Sequence, residues 1–145
     1  SESGLIARRI STFKLGLYAS SAYVKRAPKL KIPSDLAAHQ CLQLSNMDWT
    51  LGKAGQRVVH KFKAATFSAN SMNLLKHCVL QDFGIAMLSE EMMREQLSHA
   101  KVVRVLPDWC PPEVPVYALT ETRLLPAKTR VFLEFIAEQL NQKNN

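Results

Sequence analysis

The side chains best suited to chemistry in this 145-residue sequence are three cysteines and two short serine-containing stretches. Cys41 lies close to His39, and Cys78 directly follows His77. Nucleophilic catalysis needs a base and an orienting group beside the thiol, and a zinc site needs four ligands at matched spacings. Neither pair has these companions, and the third cysteine, Cys110, completes no CxxC motif. We therefore predict no catalytic residue, no bound metal and no cofactor.

The serine-containing stretches each stand between an apolar, strand-like run and a helical pattern. A helix N-terminus exposes backbone N–H groups and carries a partial positive charge, so a small anion is favoured there. Asn and Ser are also the preferred helix caps, and a cap is worth about 1 kcal/mol without any ligand. The candidate ligand-binding residues are Ser20, Ser21, Asn70, Ser71 and Met72. A purely structural capping role remains the alternative for each serine.

Apolar spacing predicts the elements that hold these two corners. Residues 12–19 alternate like a strand with one buried face, and a short helix follows from Ser20 or Ser21. Residues 67–88, "FSANSMNLLKHCVLQDFGIAML", predict a strand, an amphipathic helix and, after Gly84, a second apolar strand. A strand–helix–strand unit of this kind places its two strands parallel in one sheet.

Three further segments complete the pattern. Residues 48–62 predict a β-hairpin, and the proline-rich residues 107–115 predict a stiff connection between two bodies. Residues 125–140 predict a helix that begins near a proline. Its apolar stripe consists of Phe132, Phe135, Ile136 and Leu140. Such a stripe needs a covering surface, so we expect a second copy of the chain to cover it, or the chain to aggregate. Local disorder of this helix is an equal alternative, because an isolated helix of this length is marginal in water.

The charge of the chain is basic, with a formal net charge of +7, and part of the excess is clustered in "KRAPKLK" at residues 25–31. Basic excess is typical of nucleic-acid binding, so non-specific binding of this kind stays open. The run has no interleaved aromatic residues and no recognition helix beside it, so a solvated loop is the favoured interpretation. No apolar run is long enough for a membrane helix and no signal peptide opens the sequence, which predicts a cytoplasmic protein without membrane contact.

The order of these motifs resembles the C-terminal effector-binding domain of LysR-type transcriptional regulators. Six stretches in the same order and with similar spacings carry the resemblance. They are "SGLIARRI" at 3–10, "LYASSAYV" at 17–24, "PSDLAAHQCL" at 33–42, "FSANSMNLLKHCVLQDFGIAML" at 67–88, "VVRVLPDWCPPEVPVYAL" at 102–119 and "LPAKTRVFLEFI" at 125–136.

The resemblance implies an α/β fold similar to type II periplasmic binding proteins, in which two crossing strands join two subdomains around a ligand cleft. Residues 1–12 then match the outward crossover strand and residues 13–106 the second subdomain. Residues 107–145 match the return crossover with the last strand and helix of the first subdomain. The winged helix-turn-helix, the linker helix and the opening units of the first subdomain have no counterpart. We therefore expect an N-terminally truncated fragment with half of its effector pocket missing.

The function implied by the resemblance is that of a non-enzymatic sensor in a bacterial transcription factor. A small, anionic effector would bind in the cleft, contact Ser20, Ser21, Asn70 and Ser71, and control DNA binding by shifting a conformational population. DNA would be contacted only through the winged helix-turn-helix absent from this chain, and the regulator would be a homo-oligomer. Two rival functions stay open, namely a fragment of a solute-binding transport protein with the same fold and a small cysteine or histidine enzyme.

Overall fold

The computed structural model describes residues 5–64 and 66–121. Its strands are β1 (Leu5–Phe13), β2 (Leu15–Ser20), β3 (Cys41–Leu44), β4 (Trp49–Lys53), β5 (Gln56–His60), β6 (Ser68–Ala69), β7 (Ile85–Ser89), β8 (Val102–Val105) and β9 (Val114–Glu121). Its α-helices are α1 (Ser21–Arg26), α2 (Met72–Leu80) and α3 (Glu90–Ser98), and a 3₁₀ helix spans Pro33–Ala38.

The central element is a mixed five-stranded sheet with the strand order β6-β3-β7-β2-β8. β3 runs parallel to both β6 and β7, whereas β2 runs antiparallel to β7 and to β8. The strand predicted at residues 66–69 and the strand after Gly84 therefore lie parallel in one sheet, as predicted, with β3 between them. The main sheet is mixed because β2 alone runs opposite to the other four strands.

The two ends of this sheet carry different parts of the molecule. At one end lie the carboxyl ends of β3, β6 and β7 and the start of β2, which β1 reaches through the single residue Lys14. We call this the junction end, because the antiparallel ribbon of β1 and β9 meets the sheet here, with Phe13 paired to Val114. At the opposite end, the outer end, β2 finishes at Ser20 beside the start of β8.

Both faces of β2 are buried, so the prediction of one buried face is wrong. Leu17 and Ala19 belong to a core on one face of the sheet, and Tyr18 belongs to a second core on the other face. Tyr18 is only 1% exposed. The first core is covered by β4, α1 and the 3₁₀ helix, and the second by α2 and α3. A central strand covered on both sides loses the polar alternation of a half-buried strand.

The amphipathic helix was predicted correctly. The buried side chains of α2 are Leu75, Cys78 and Val79, which follow the three- and four-residue spacing of one helical face. Ser71 caps this helix by accepting a hydrogen bond from the backbone N–H of Leu74 at 3.2 Å. Each such apolar side chain contributes roughly 1.5–3 kcal/mol by leaving water, so this face holds α2 against the sheet.

The predicted hairpin is also confirmed, as a separate two-stranded sheet of β4 and β5. Its turn consists of Ala54 and Gly55, which both have positive φ angles, 49° and 80°, as in a type I′ turn. Trp49 packs edge-to-face on Phe62 with ring centroids 5.0 Å apart. This hairpin covers the first core.

His60 on the hairpin should make the stability of the fold depend on pH. Burial lowers the pKa of His60, and the Asp48 carboxylate opposes this shift. The unfolded chain therefore takes up a proton on this histidine at a higher pH than the folded chain does. The contribution of His60 to the unfolding free energy is complete above about pH 6.5 and is lost as the pH falls through the pKa of the folded state. Urea unfolding midpoints measured over this range should fall accordingly. The variant His60→Phe keeps an aromatic ring and should show a shallower decline; an unchanged decline would contradict the assignment.

Some predictions fall outside the described residues or concern surfaces. The helix with the stripe Phe132, Phe135, Ile136 and Leu140 lies outside the described residues. The lysines of the basic run at residues 25–31 are exposed, as predicted, but Lys25 and Arg26 form the last turn of α1, so only the rest of the run is a loop. Within residues 5–64 and 66–121, no helix has the length and apolar run that crossing a bilayer requires.

Candidate functional site

The amino end of α2 is the strongest candidate for a ligand contact, and it lies at the junction end directly after β6. The Ser71 side-chain oxygen is occupied by the Leu74 N–H at 3.2 Å, and the Ser71 carbonyl accepts from Leu75. The Ser71 hydroxyl hydrogen has no acceptor within the described part of the chain. A serine that caps through its oxygen can still donate this hydrogen to a ligand.

The residues beside Ser71 present further donors. Met72 and Asn73 open α2, so their backbone N–H groups precede the first intrahelical hydrogen bond and point out of the helix. Asn70 is exposed, and Ser71 and Met72 are half-buried. Asn70, Ser71 and Met72 thus form one corner with backbone and side-chain donors that solvent can reach. We call these three residues the α2 corner.

Charge distinguishes the α2 corner from the neighbouring helix start. The first turn of α2 contains no acidic residue, whereas the first turn of α3 carries Glu90 and Glu91. Those carboxylates already offset the positive end of the α3 dipole, and Ser89 caps α3 through the Met92 N–H at 3.1 Å. The α2 corner therefore suits an anion better than the start of α3.

Ser20 and Ser21 lie at the outer end, away from the α2 corner. Because β2 is antiparallel to β7, its carboxyl end lies at the amino end of β3, β6 and β7. The expectation that both corners line one cleft is therefore wrong, since it assumed that both strands end at the same side of the sheet. The six residues of β2 separate the two ends by roughly 17 Å.

The outer serines have structural hydrogen bonds. Ser20 is 3% exposed, and its side-chain oxygen accepts from the Tyr23 N–H at 2.9 Å as the cap of α1. The Ser21 hydroxyl donates to the Ala100 carbonyl at 2.7 Å. The Ser20 bond closes the first turn of α1, and the Ser21 bond joins α1 to the turn before β8.

An arginine that no sequence motif indicated braces the junction end. Arg104 on β8 donates to the Glu90 carboxylate at 2.8 Å and to the Leu15 carbonyl at 3.3 Å, so it joins β8, α3 and β2. The Arg104 guanidinium passes over Gly16, where an added Cβ atom would lie 2.7 Å from Nε. Gly16 therefore makes room for this brace. Local sequence patterns could not predict this brace, because its residues come from three segments that are far apart in the chain. These residues are Leu15, Gly16, Glu90 and Arg104.

A small cavity beside the brace was also missed. It has a volume of about 310 Å³ and lies between the end of β1 and the start of α3. Its charged lining residues are Lys14, Glu90, Glu91 and Arg94. Glu91 and Arg94 form an exposed ion pair at 3.0 Å, which contributes little to stability. We call this space the junction cavity.

A comparison with protein families decides what kind of domain this is. The family model described as the LysR substrate binding domain matches residues 1–141. The chain belongs to the LysR substrate-binding domain family. Members have the type II periplasmic-binding-protein-like fold, which agrees with the mixed sheet and the β1–β9 ribbon.

Curated relatives of this LysR domain are transcriptional regulators. It is 24% identical to the HTH-type transcriptional regulator PtxR of Pseudomonas aeruginosa over 98% of its own length and 47% of that protein. It is 28% identical to the HTH-type transcriptional activator TtdR of Escherichia coli, over 95% of its own length and 46% of that protein. The chain thus spans about half the length of the curated relatives that it matches.

Solved structures show the same fold for this LysR domain. The regulatory domain of AphB from Vibrio vulnificus matches with a TM-score of 0.78 and 28% identity, over 97% of this chain and 68% of that one. The regulatory domain of CrgA from Neisseria meningitidis matches with a TM-score of 0.66 and 24% identity, over 97% and 71% of the two chains. The CrgA likeness concerns the fold alone.

The cysteine and histidine pairs of the LysR domain have structural explanations. Burial raises the pKa of the Cys41 thiol to about 12 and also raises the pKa of Cys78, so both stay protonated at neutral pH. His39 Nδ1 lies 2.9 Å from the Tyr23 hydroxyl, and His77 is exposed on the solvent face of α2. Among residues 5–64 and 66–121, no three potential metal ligands of the Cys, His, Asp and Glu types come together.

Proposed function

We propose that this domain senses a small anionic effector at the junction end of a LysR-type transcriptional regulator. The observation that carries the proposal is the set of free donors at the α2 corner. The Ser71 hydroxyl hydrogen and the first N–H groups of α2 point away from the helix, and the first turn of α2 has no acidic residue. A carboxylate at such a position gains charge-assisted hydrogen bonds and a favourable helix dipole. The family match supports a role in effector binding.

The arrangement of the whole regulator forms part of the same proposal. Residues 1–12 and the start of 107–145 act as crossover strands, residues 13–106 form the second subdomain, and the effector lies between this subdomain and the first one. DNA is bound by a winged helix-turn-helix elsewhere in the regulator, which acts in the cytoplasm as a homo-oligomer. The naming of PtxR and TtdR as HTH-type proteins supports the helix-turn-helix.

The mechanism follows from the position of the α2 corner. An effector that bridges this corner and the first subdomain binds best when the two subdomains are close together. Closure bends the β1–β9 ribbon relative to the sheet, and the Arg104–Glu90 pair keeps the start of β2, α3 and β8 together as one body during this movement. The effector shifts the population by as much as its affinities for the open and closed forms differ.

The named relatives favour a regulator over a transport protein or an enzyme. PtxR and TtdR are both named as transcriptional regulators or activators. The buried, protonated thiols of Cys41 and Cys78 are unsuited to nucleophilic chemistry. A sensor role is therefore the best supported function.

The decisive experiment uses the variant Ser71→Ala in the regulator that carries this domain. A panel of small carboxylates is first screened for those that raise its melting temperature, since a ligand that binds only the folded state stabilises it. Ser71→Ala should weaken binding of the active compound by about tenfold, because one hydrogen bond to a charged group is lost. Isothermal titration measures this change, and the melting temperature of the free variant reports the lost cap.

The matched control is Ser20→Ala, which removes an equivalent helix-cap bond at the outer end. Both variants should lower the unfolding free energy by about 1 kcal/mol, but only Ser71→Ala should weaken effector binding. Equal affinity losses in both variants would show that the effect comes from stability and would overturn the site. If no carboxylate in the panel binds while a neutral compound does, the anionic character of the effector is wrong.

A further inference from the structure

A second cavity lies at the outer end of the sheet, away from the α2 corner. It has a volume of about 560 Å³, and we call it the outer pocket. Its walls come from α1, the carboxyl end of α2, and the residues at and beyond the carboxyl end of α3. The lining side chains that matter here are Ser21, Ala22, Lys25, Leu80, Asp82 and Lys101.

Hydrogen bonds between these elements hold the walls in place. The Ser21 N–H donates to the Lys101 carbonyl at 3.0 Å, and the Lys101 N–H donates to the Gln96 carbonyl at 3.0 Å. On the other side, the Arg26 guanidinium donates to the Asp82 carbonyl at 2.6 Å. The pocket is therefore built before any ligand arrives, which reduces the ordering cost of binding.

The pocket combines both charge signs without internal pairing. Lys25, Lys101 and Asp82 all line it, and none of them forms an ion pair within residues 5–64 and 66–121. Gln96 also lines the pocket, and its side-chain oxygen is buried without a hydrogen-bond partner in the described structure. This oxygen is shielded from solvent, so a ligand in the pocket does not reach it, and the charged side chains carry the recognition.

We propose that the outer pocket binds a small α-amino acid with an apolar side chain. The two lysine ammonium groups suit its carboxylate, and the Asp82 carboxylate suits its ammonium group. Leu80 and Ala22 offer an apolar surface to its side chain. A plain carboxylic acid would leave Asp82 without a donor, and a plain amine would leave the lysines without an anion.

This second site is separate from the effector site at the α2 corner. The outer pocket lies at the carboxyl end of β2, and the α2 corner lies at the end of the sheet where β2 begins. The charged lining residues of the junction cavity, Lys14, Glu90, Glu91 and Arg94, are absent from the outer pocket. An experiment that disproves binding at one of these sites therefore leaves the proposal for the other site standing.

The test is an NMR titration of the intact protein with L-leucine, followed through backbone amide signals. Leucine should shift the signals of Ala22, Gln96 and Lys101 and leave that of Leu74, in the first turn of α2, unchanged. Two partial analogues serve as comparison probes. Both 4-methylpentanoate, which lacks the amino group, and 3-methylbutylamine, which lacks the carboxylate, should bind about tenfold more weakly.

Matched variants test the assigned contacts. Lys101→Gln should weaken leucine binding about tenfold, whereas Lys63→Gln, the same change on an exposed lysine outside the pocket, should not alter it. Asparagine tolerates the positive φ of 66° at this position, so the variant Asp82→Asn should keep the fold. This variant should weaken leucine binding while leaving 4-methylpentanoate binding equal or tighter, a reversal that general destabilisation does not produce.

Three results would overturn the proposal. The first is the absence of shifts at Ala22, Gln96 and Lys101 at leucine concentrations up to about 20 mM, which excludes even weak binding. The second is equal loss of binding in Lys63→Gln and Lys101→Gln, which means a general charge effect. The third is a shift confined to Leu74 and its neighbours, which assigns leucine to the α2 corner and supports the effector site at the expense of the outer pocket.

Discussion

Replacing Gly84 by alanine should lower the unfolding free energy by about 3 kcal/mol or more, the combined effect of backbone strain and a steric clash. Gly84 has a φ of +152°, which side-chain-bearing residues rarely adopt. An alanine Cβ would also collide with the Gln40 carbonyl oxygen. That carbonyl cannot easily move, because it accepts the first hydrogen bond of β7 from the Ile85 N–H at 2.8 Å.

Thermal unfolding measures this effect, and Gly52→Ala provides the control. A Cβ atom at Gly52 would meet its nearest neighbour at 3.6 Å, an ordinary contact, and Gly52 has no positive φ. Gly84→Ala should lower the melting temperature by about 10 °C, whereas Gly52→Ala should change it by less than about 3 °C. Similar shifts in both variants would mean that the close approach to Gln40 is relieved by movement of the chain.

Replacing Trp49 by alanine should lower the unfolding free energy by about 3–5 kcal/mol, the usual cost of removing a buried indole. Trp49 is 2% exposed and belongs to the first core. Its ring contacts Phe62 edge-to-face at 5.0 Å and His60 at 5.4 Å between centroids. Loss of this side chain leaves the β4–β5 hairpin held by Leu51 in the first core and by the two backbone bonds between Gly52 and Cys110, which are 2.8 Å long.

Urea unfolding and amide hydrogen exchange check this expectation together. The amide protons of Gly52 and Cys110 should exchange faster in Trp49→Ala, because the hairpin opens more often. The control Val59→Ala removes a side chain that is 46% exposed on the same hairpin and should change stability by no more than about 0.5 kcal/mol. Unchanged protection of Gly52 in Trp49→Ala would show that the hairpin is held by different contacts.

Local patterns predicted a large part of the fold. The helix α2, the strand β7 and the β4–β5 hairpin were found because their signals lie within a few residues, such as Ser71 as a cap and Ala54-Gly55 as a turn. The prediction that Gly84 ends the helix is wrong, because α2 ends at Leu80 and Asp82, with a φ of 66°, is the left-handed residue that follows it. The burial of Tyr18 was missed, because a central strand covered on both faces has no polar side. Six ordered motifs also led to the correct family, which the match over residues 1–141 confirms.

The candidate site was only partly accessible from the sequence. Asn70, Ser71 and Met72 were identified as a helix start suited to an anion, and the structure shows the donors that make this possible. Their binding role remains a prediction. The Arg104 brace and the outer pocket were not found, because each is assembled from segments far apart in the chain.

The sequence by itself determined the family, the main local elements and the chemistry available at each helix start, since caps, turns and apolar spacing act over short distances. Only the tertiary structure decided which of these helix starts share a surface. The direction of β2 relative to β7 depends on pairing between residues about 70 positions apart, Leu15 with Ser89 and Tyr18 with Ala86. That antiparallel pairing places Ser71 at the junction end and Ser20 at the outer end, and so separates two helix starts that local patterns placed in one cleft.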